Sequence, residues 1–241
     1  MKYDPLKRVT LKNNKAYNSK TFLNSREARN IRVQCEMTEP AVRLKRMGIE
    51  HMITFFGSAR TKPDHSDYIA AESISNKLGE HFKDRGDVGI SSGGGPGIME
   101  ASNKGAYESG IKSVGMGISL PFEQSNNDYI TKGLDFEFHY FFTRKYWCVY
   151  LSKAFVVMPG GVGTMDELFE ILTLMQTQKI TGRKPIVLFG QQFWQMTLNF
   201  NNMIDHGTIS PEDTKLFKVT NDVDDAVDHI VKNINLSDSS Y

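Results

Sequence analysis

Residues 154–178 read AFVVMPGGVGTMDELFEILTLMQTQ. Ala154–Met158 is a short apolar run closed by proline and glycine, the pattern of a fully buried strand. Beyond the turn, Met165, Leu168, Leu172 and Met175 recur at i, i+3, i+7 and i+10. That spacing draws one apolar stripe along a helix. Strand, glycine turn and helix in immediate succession are the unit from which parallel sheets with crossover helices are built.

The same alternation continues outward on both sides. Upstream, Met52–Phe56 reads as a strand ending at Gly57, and residues 66–83 as a helix carrying Tyr68, Ile69, Ala71, Ile74, Leu78 and Phe82. Val88–Ile90 is a strand running into SSGGGPG, 97–109 a helix, Ser113–Ile118 a strand, Phe136–Phe142 an aromatic strand and 144–152 a helix. Residues 120–130, LPFEQSNNDYI, are too polar for either element and read as a loop. Downstream, Pro185–Phe189 and Phe217–Val219 read as strands, and 191–205 and 222–234 as helices. The expected fold is α/β and Rossmann-like: a mostly parallel sheet with helices on both faces. An N-terminal helical extension (25–48) precedes it, read as two short helices broken at Pro40. Residues 25–241 are expected to form one domain. Residues 1–24 carry Lys2, Lys7, Arg8, Lys12, Lys15 and Lys20 against Asp4, and read as a flexible basic arm.

Composition removes several function classes. The chain has 241 residues, 39% apolar and 24% charged, with a net charge of +1. That balance gives no bulk attraction to nucleic acid or to a membrane surface. Cys35 and Cys148 stand far apart, which fits a reducing compartment and offers no disulfide framework. The N-terminus lacks the apolar segment of a signal peptide, and no stretch approaches a membrane span. The expectation is a cytoplasmic protein without membrane or nucleic-acid partners. His51, His65, His81, His139, His206 and His229 are scattered, so no metal site and no cofactor site is legible.

Ligands of parallel sheets bind beyond the carboxyl ends of the strands, where strand order reverses. Three glycine turns fall at such ends: Gly57-Ser58, Ser92–Gly97 and Pro159–Gly163. Neither of the latter two supplies the lysine of a phosphate-binding GxxxxGK loop. The dinucleotide pattern GxGxxG also fails, because Asp166 and Glu100 stand where its last glycine belongs. Phosphate binding survives these failures. Glycines let backbone N–H groups approach an anion, and a helix start adds unsatisfied donors. Thr164 would add a hydroxyl.

Glu167 carries two readings. Thr164-x-x-Glu167 has the spacing of a capping box. The same glutamate would lie beside any group held by the turn. Asp166 and Glu170 read as solvated helix charges. Arg144 and Lys145 open a helix, where two cations oppose the macrodipole. Either a nearby anion, such as a phosphate or Glu167, offsets them, or the helix starts earlier.

SSGGGPGIMEASNKGA (91–106), FFTRKYWCVYLSKAFVVMPGGVGTMDELFEILTLMQTQKI (141–180) and FFGSAR (55–60) together resemble the "lonely guy" (LOG) family. Its members are cytokinin riboside 5′-monophosphate phosphoribohydrolases and related nucleotide nucleosidases. The family pattern PGGxGTxxE is met by Pro159, Gly160, Gly161, Gly163, Thr164 and Glu167, and the Arg-Lys pair by Arg144 and Lys145. The resemblance spans about residues 25–235, and the longer bacterial branch fits best. It implies hydrolysis of a nucleoside 5′-monophosphate to free base and ribose 5-phosphate, with Glu167 and Arg144 catalytic. Gly160, Gly161, Val162, Gly163 and Thr164 would hold the phosphate, with Gly57, Ser58, Gly94, Gly95 and Lys145 nearby. Met99, Glu100, Asn103 and the 120–124 loop would line the base and ribose pocket. A homodimer through the face of 164–178 is implied too. Glu100 replaces a glycine of the plant-type members, so an ordinary purine nucleotide such as AMP, or a pyrimidine one, is as good a candidate as a cytokinin. Such proteins have also carried the label lysine decarboxylase, a chemistry that needs pyridoxal phosphate on a lysine. Non-catalytic carriers of a nucleotide or of molybdenum cofactor share the fold and form the alternative.

Overall fold

The computed structural model describes residues 15–120, 126–180, 182 and 184–237. The strands are β1 (His51–Phe56), β2 (Val88–Ser92), β3 (Lys112–Ile118), β4 (Asp135–Phe138), β5 (Ser152–Val157), β6 (Ile186–Phe189) and β7 (Lys218–Thr220). They form one sheet in the order β4-β3-β2-β1-β5-β6-β7, and every pairing is parallel. β1 and β2 are buried along their whole length, as a strand covered on both faces must be.

The helices are α1 (Lys20–Leu23), α2 (Arg29–Arg46), α3 (Ser66–Phe82), α4 (Ile98–Ser109), α5 (Phe141–Tyr150), α6 (Val162–Gln176), α7 (Gln191–Thr197), α8 (Phe200–Asp205) and α9 (Val223–Asn233). They sort into two layers with separate cores. On one face, Leu44 of α2, Trp147 of α5 and Leu168 and Ile171 of α6 pack with Phe155 and Leu188 of the sheet. On the other, Tyr68 and Leu78 of α3, Ile98 of α4 and Ile230 of α9 pack with Ile53, Ile90 and Val156. The Rossmann-like arrangement expected from the alternation is present.

Three local expectations are corrected. α2 runs through Pro40 without a break. Proline removes only the bond its own N–H would make to the carbonyl four residues back, that of Glu36. Trp147 Nε1 donates to that carbonyl instead, at 2.8 Å. The second correction is at β4, which ends at Phe138. Phe141 and Phe142 begin α5, so Arg144 and Lys145 are its fourth and fifth residues rather than its first. The third is at 191–205, where two helices, α7 and α8, replace the one expected. Within the predicted arm, Ala16–Asn18 forms a single turn and α1 another, capped by Ser19 Oγ accepting from Phe22 N. Residues 1–14 lie outside the described residues.

Strand order reverses at β1, which pairs with β2 on one side and β5 on the other. The turns leaving these three strands are bonded together. Ser58 N donates to Pro159 O at 3.1 Å, and Ile98 N to Ser58 O at 3.0 Å. Gly97 makes this closure possible: its φ is +70°, and a Cβ there would lie 2.4 Å from Ser58 O. The crevice predicted at the switch point is thereby built from all three glycine turns.

Candidate active site

α6 starts at Val162 with Gly161 as its N-cap, and no side chain caps it. Thr164 therefore lies inside the first turn rather than at the cap, and the capping box that its spacing with Glu167 suggests is not formed. Glu167 points inward instead. It is 4% exposed, and its Oε2 has no hydrogen-bond partner. Its Oε1 lies 3.8 Å from Arg144 Nη1. Burial pushes the Glu167 carboxyl up to about 7; Arg144 and Lys145 oppose the rise, while Glu170 and Asp166 add to it.

Arg144 reaches this position from α5. Its Nε donates to Met116 O at 2.8 Å, at the end of β3. Gly93 leaves room for it, because a Cβ there would come within 2.6 Å of both Arg144 Nη2 and Met99 Sδ. Lys145, next along α5, turns away to Asp166 Oδ1 at 3.0 Å and Glu170 Oε2 at 2.6 Å. Asp166 is exposed as expected but is also paired, and Glu170 is partly buried and paired. Burial opposes the Lys145 charge, but its hydrogen bonds to Glu170 and Asp166 outweigh this and raise its pKa.

A cavity of about 590 Å³ opens at the switch point. Of the residues singled out from sequence, Gly57, Ser58, Gly95, Met99, Gly161, Val162, Gly163 and Thr164 line it, together with Arg144 and Glu167. Gly94, Glu100, Asn103, Lys145 and Gly160 are not among its walls. Glu100 accepts a hydrogen bond from Tyr68 OH at 2.8 Å, tying α4 to α3. Asn103 is fully buried and braces the β2 turn: it accepts from Ser92 Oγ at 2.6 Å and Asn127 Nδ2 at 3.0 Å, and donates to Ser113 Oγ at 2.9 Å. Gly160 is packed under Thr164, where a Cβ would meet Oγ1 at 2.1 Å. Of the 120–124 loop, Leu120 lines the cavity, and 121–124 lie outside the described residues.

Sequence reasoning missed Arg60, Ile118, Asn126 and Phe141, which also line the cavity. Arg60 was within reach, two residues past Ser58 in FFGSAR, and its backbone N–H bonds Ser58 Oγ at 3.1 Å. Phe141 was hidden by its assignment to a strand. Among the described residues no three His, Cys, Asp or Glu side chains gather in a metal-binding group. None of their helices is long and apolar enough to cross a membrane.

The protein family described as "possible lysine decarboxylase" matches residues 99–230, a stretch holding both Arg144 and Glu167. The chain belongs to this family. A curated LOG-type relative, the cytokinin riboside 5′-monophosphate phosphoribohydrolase of Mycobacterium tuberculosis, is 38% identical over 78 residues. That match covers 32% of this chain and 41% of the relative. Among solved structures, the molybdenum cofactor carrier protein of Chlamydomonas reinhardtii superposes with a TM-score of 0.50 at 22% identity, covering 76% of this chain and 97% of that one. The molybdenum cofactor binding protein of Rippkaea orientalis gives 0.48 at 18%, covering 76% and 96%. At 22% identity the Chlamydomonas likeness speaks for the fold alone. The family's decarboxylase label finds no support in this member. Lys145 is engaged by two carboxylates off the cavity, and no lysine lines the cavity among the described residues, so nothing there fits a Schiff base to pyridoxal phosphate.

Proposed function

We propose that this chain hydrolyses the N-glycosidic bond of a nucleoside 5′-monophosphate, releasing free base and ribose 5-phosphate. One observation carries the reading. A carboxylate sits buried and half unpartnered beside a guanidinium, on the wall of a ligand-sized cavity floored by glycine turns. Burying such a carboxylate opposes its ionisation, and no contact within the described fold compensates it fully.

The glycines divide by role. A Cβ at Gly161 or Gly163 would meet no described atom within 4 Å, so neither glycine is demanded by packing. Both leave the start of α6 bare toward the cavity, where its free N–H groups suit one phosphate. Thr164 and Arg60 also line the cavity, as further hydrogen-bond donors. With the phosphate there, the ribose lies over Glu167. Cleavage builds positive charge on the sugar, as in other glycosyl hydrolyses. Ionised Glu167 stabilises that charge and takes a proton from the attacking water. Arg144 stays charged throughout and is no proton donor. It steadies negative charge on the departing base. Met99, Ile118, Leu120 and Phe141 supply an apolar wall for a flat heterocycle.

A homodimer belongs to the same reading. Phe142, Tyr146 and Tyr150 are exposed along α5, and Val162 is 88% exposed on α6 beside a groove lined by Met165, Phe169 and Leu174. A second copy is the partner the family resemblance implies for this face.

The test is a panel of nucleoside 5′-monophosphates with chromatographic detection of free base. Base release from at least one monophosphate, and none from its unphosphorylated nucleoside, is the expected result. Tight binding of a nucleotide without turnover would replace this reading with that of a carrier.

A further inference from the structure

α2 lies outside the stretch matched by the family and supplies no wall of the cavity. Its middle nevertheless grips the helix that carries Arg144. Glu36 Oε1 accepts from His139 N at 2.8 Å. Its Oε2 accepts from Tyr140 N at 3.3 Å and from the buried Thr143 Oγ1 at 2.5 Å. Its backbone carbonyl accepts from Trp147 Nε1 at 2.8 Å. One residue of α2 thus holds the first two turns of α5.

Each of these bonds has a local cause. α5 has Tyr140 at its N-cap, and no side chain of its own caps it. Its first turns also carry Arg144 and Lys145, two cations at the positive end of the macrodipole. A carboxylate delivered from another helix answers both needs. The carbonyl is free because Pro40, four residues on, has no N–H to give it. Leaving that carbonyl unpaired inside the protein would be costly, and the indole of Trp147 fills the role.

We propose that Glu36, with Pro40 behind it, is a positioning residue for Arg144, setting α5 so that the guanidinium meets Glu167 at the cavity. This rests on the reading of Arg144 and Glu167 as the reacting pair. The titratable and charged groups around Glu167 are Arg144, Lys145 and the buried Cys148 from α5 and Asp166 and Glu170 from α6, and Arg60 from the β1 turn lines the same cavity. Moving α5 withdraws the first two, both of which favour the ionised carboxylate.

The test compares the full-length wild type with Glu36→Gln, each with and without Arg144→Ala. Misplacement of a reacting group by about 1 Å costs up to about a hundredfold. Glu36→Gln is therefore expected to lower kcat by about tenfold or more with little change in KM. It is expected to cost almost nothing further in the Arg144→Ala background. The acid limb of its pH profile should also move to higher pH. An equal loss in both backgrounds with an unmoved limb would mean that Glu36 only stabilises the fold, and would overturn the proposal. If Glu36→Gln does not fold, Pro40→Ala replaces it. There the new N–H competes with Trp147 for the Glu36 carbonyl, and a smaller fall in kcat of the same kind is expected. A substrate-free measurement separates the two readings. The carbon-13 carboxyl resonance of Glu167, assigned by its loss in Glu167→Gln, is titrated in wild type and Glu36→Gln. If the wild type turns over no monophosphate, the proposed function fails while this titration still decides: an upward shift supports the positioning role, and an unchanged midpoint refutes it.

Discussion

Glu167→Gln should make the protein more stable while destroying its activity. The glutamine has the shape of the protonated glutamic acid but cannot ionise. In the fold the carboxyl titrates at about 7 rather than at its ordinary 4.5, chiefly because it is buried. A group raised in this way binds more protons folded than unfolded between the two values. Its contribution therefore favours the fold at low pH and is lost as pH rises through 7. Converted at 1.36 kcal/mol for each tenfold, the rise from 4.5 to about 7 corresponds to about 3 kcal/mol of strain above pH 8. By the same linkage the strain falls to under about 1 kcal/mol at pH 5. Urea unfolding of both proteins at pH 5 and pH 8.5 reads the difference directly. The variant should gain most of that about 3 kcal/mol at pH 8.5 and little at pH 5, with kcat reduced by about a hundredfold or more. A variant that is less stable at pH 8.5, or whose gain does not depend on pH, would refute the claim that Glu167 is held ionised against its surroundings.

Three further outcomes follow from the same geometry. On the proposed function Glu167 acts ionised, so kcat/KM for a monophosphate should rise with pH through a midpoint near 7; a flat profile between pH 5.5 and 8.5 would remove Glu167 from the chemistry. The neighbouring glycines should respond in opposite ways. Gly160→Ala, whose methyl would strike Thr164, is expected to lose about 1–3 kcal/mol of stability. Gly161→Ala should leave stability within about 0.5 kcal/mol and raise KM for the phosphorylated substrate alone, as read by thermal melts and initial rates. Finally, Tyr146→Asp on the exposed aromatic row should convert a dimer to a monomer in size-exclusion chromatography with light scattering, and an unchanged mass would place the interface elsewhere.

The layered fold was legible because buried parallel strands write themselves as nearly continuous apolar runs, as Met52–Phe56 in β1 and Ala154–Val157 in β5 do, each closed by a glycine turn. Arg144, Glu167 and the glycine turns were legible for a related reason: short motifs fix where backbone donors and charges fall relative to a strand end. What escaped was long-range. Pro40 reads as a helix break because local rules see a missing N–H, not the indole that replaces it from more than a hundred positions away. The cations of α5 read as needing a phosphate or Glu167. Arg144 is met by Glu167, one of the two anions expected, but Lys145 is met by Asp166 and Glu170, and Glu36 bonds the backbone at the start of α5, contacts set by how helices pack. Asn103 and Glu100 lie close in sequence to a true lining residue, Met99, but the turn of α4 aims them into the scaffold.

Part of the cavity's wall comes from a stretch of chain that carries neither member of the Arg144–Glu167 pair. The switch-point turns and the starts of α5 and α6 carry charge and donors. Ile118, Leu120 and Asn126 come from the end of β3 and the stretch after it, which contribute neither Arg144 nor Glu167. On the proposed function, exchange of that stretch between relatives would shift the preference for one base over another while Arg144 and Glu167 stay in place. On that reading, a fold arranged in this way can change the nucleotide it takes without reinventing its chemistry.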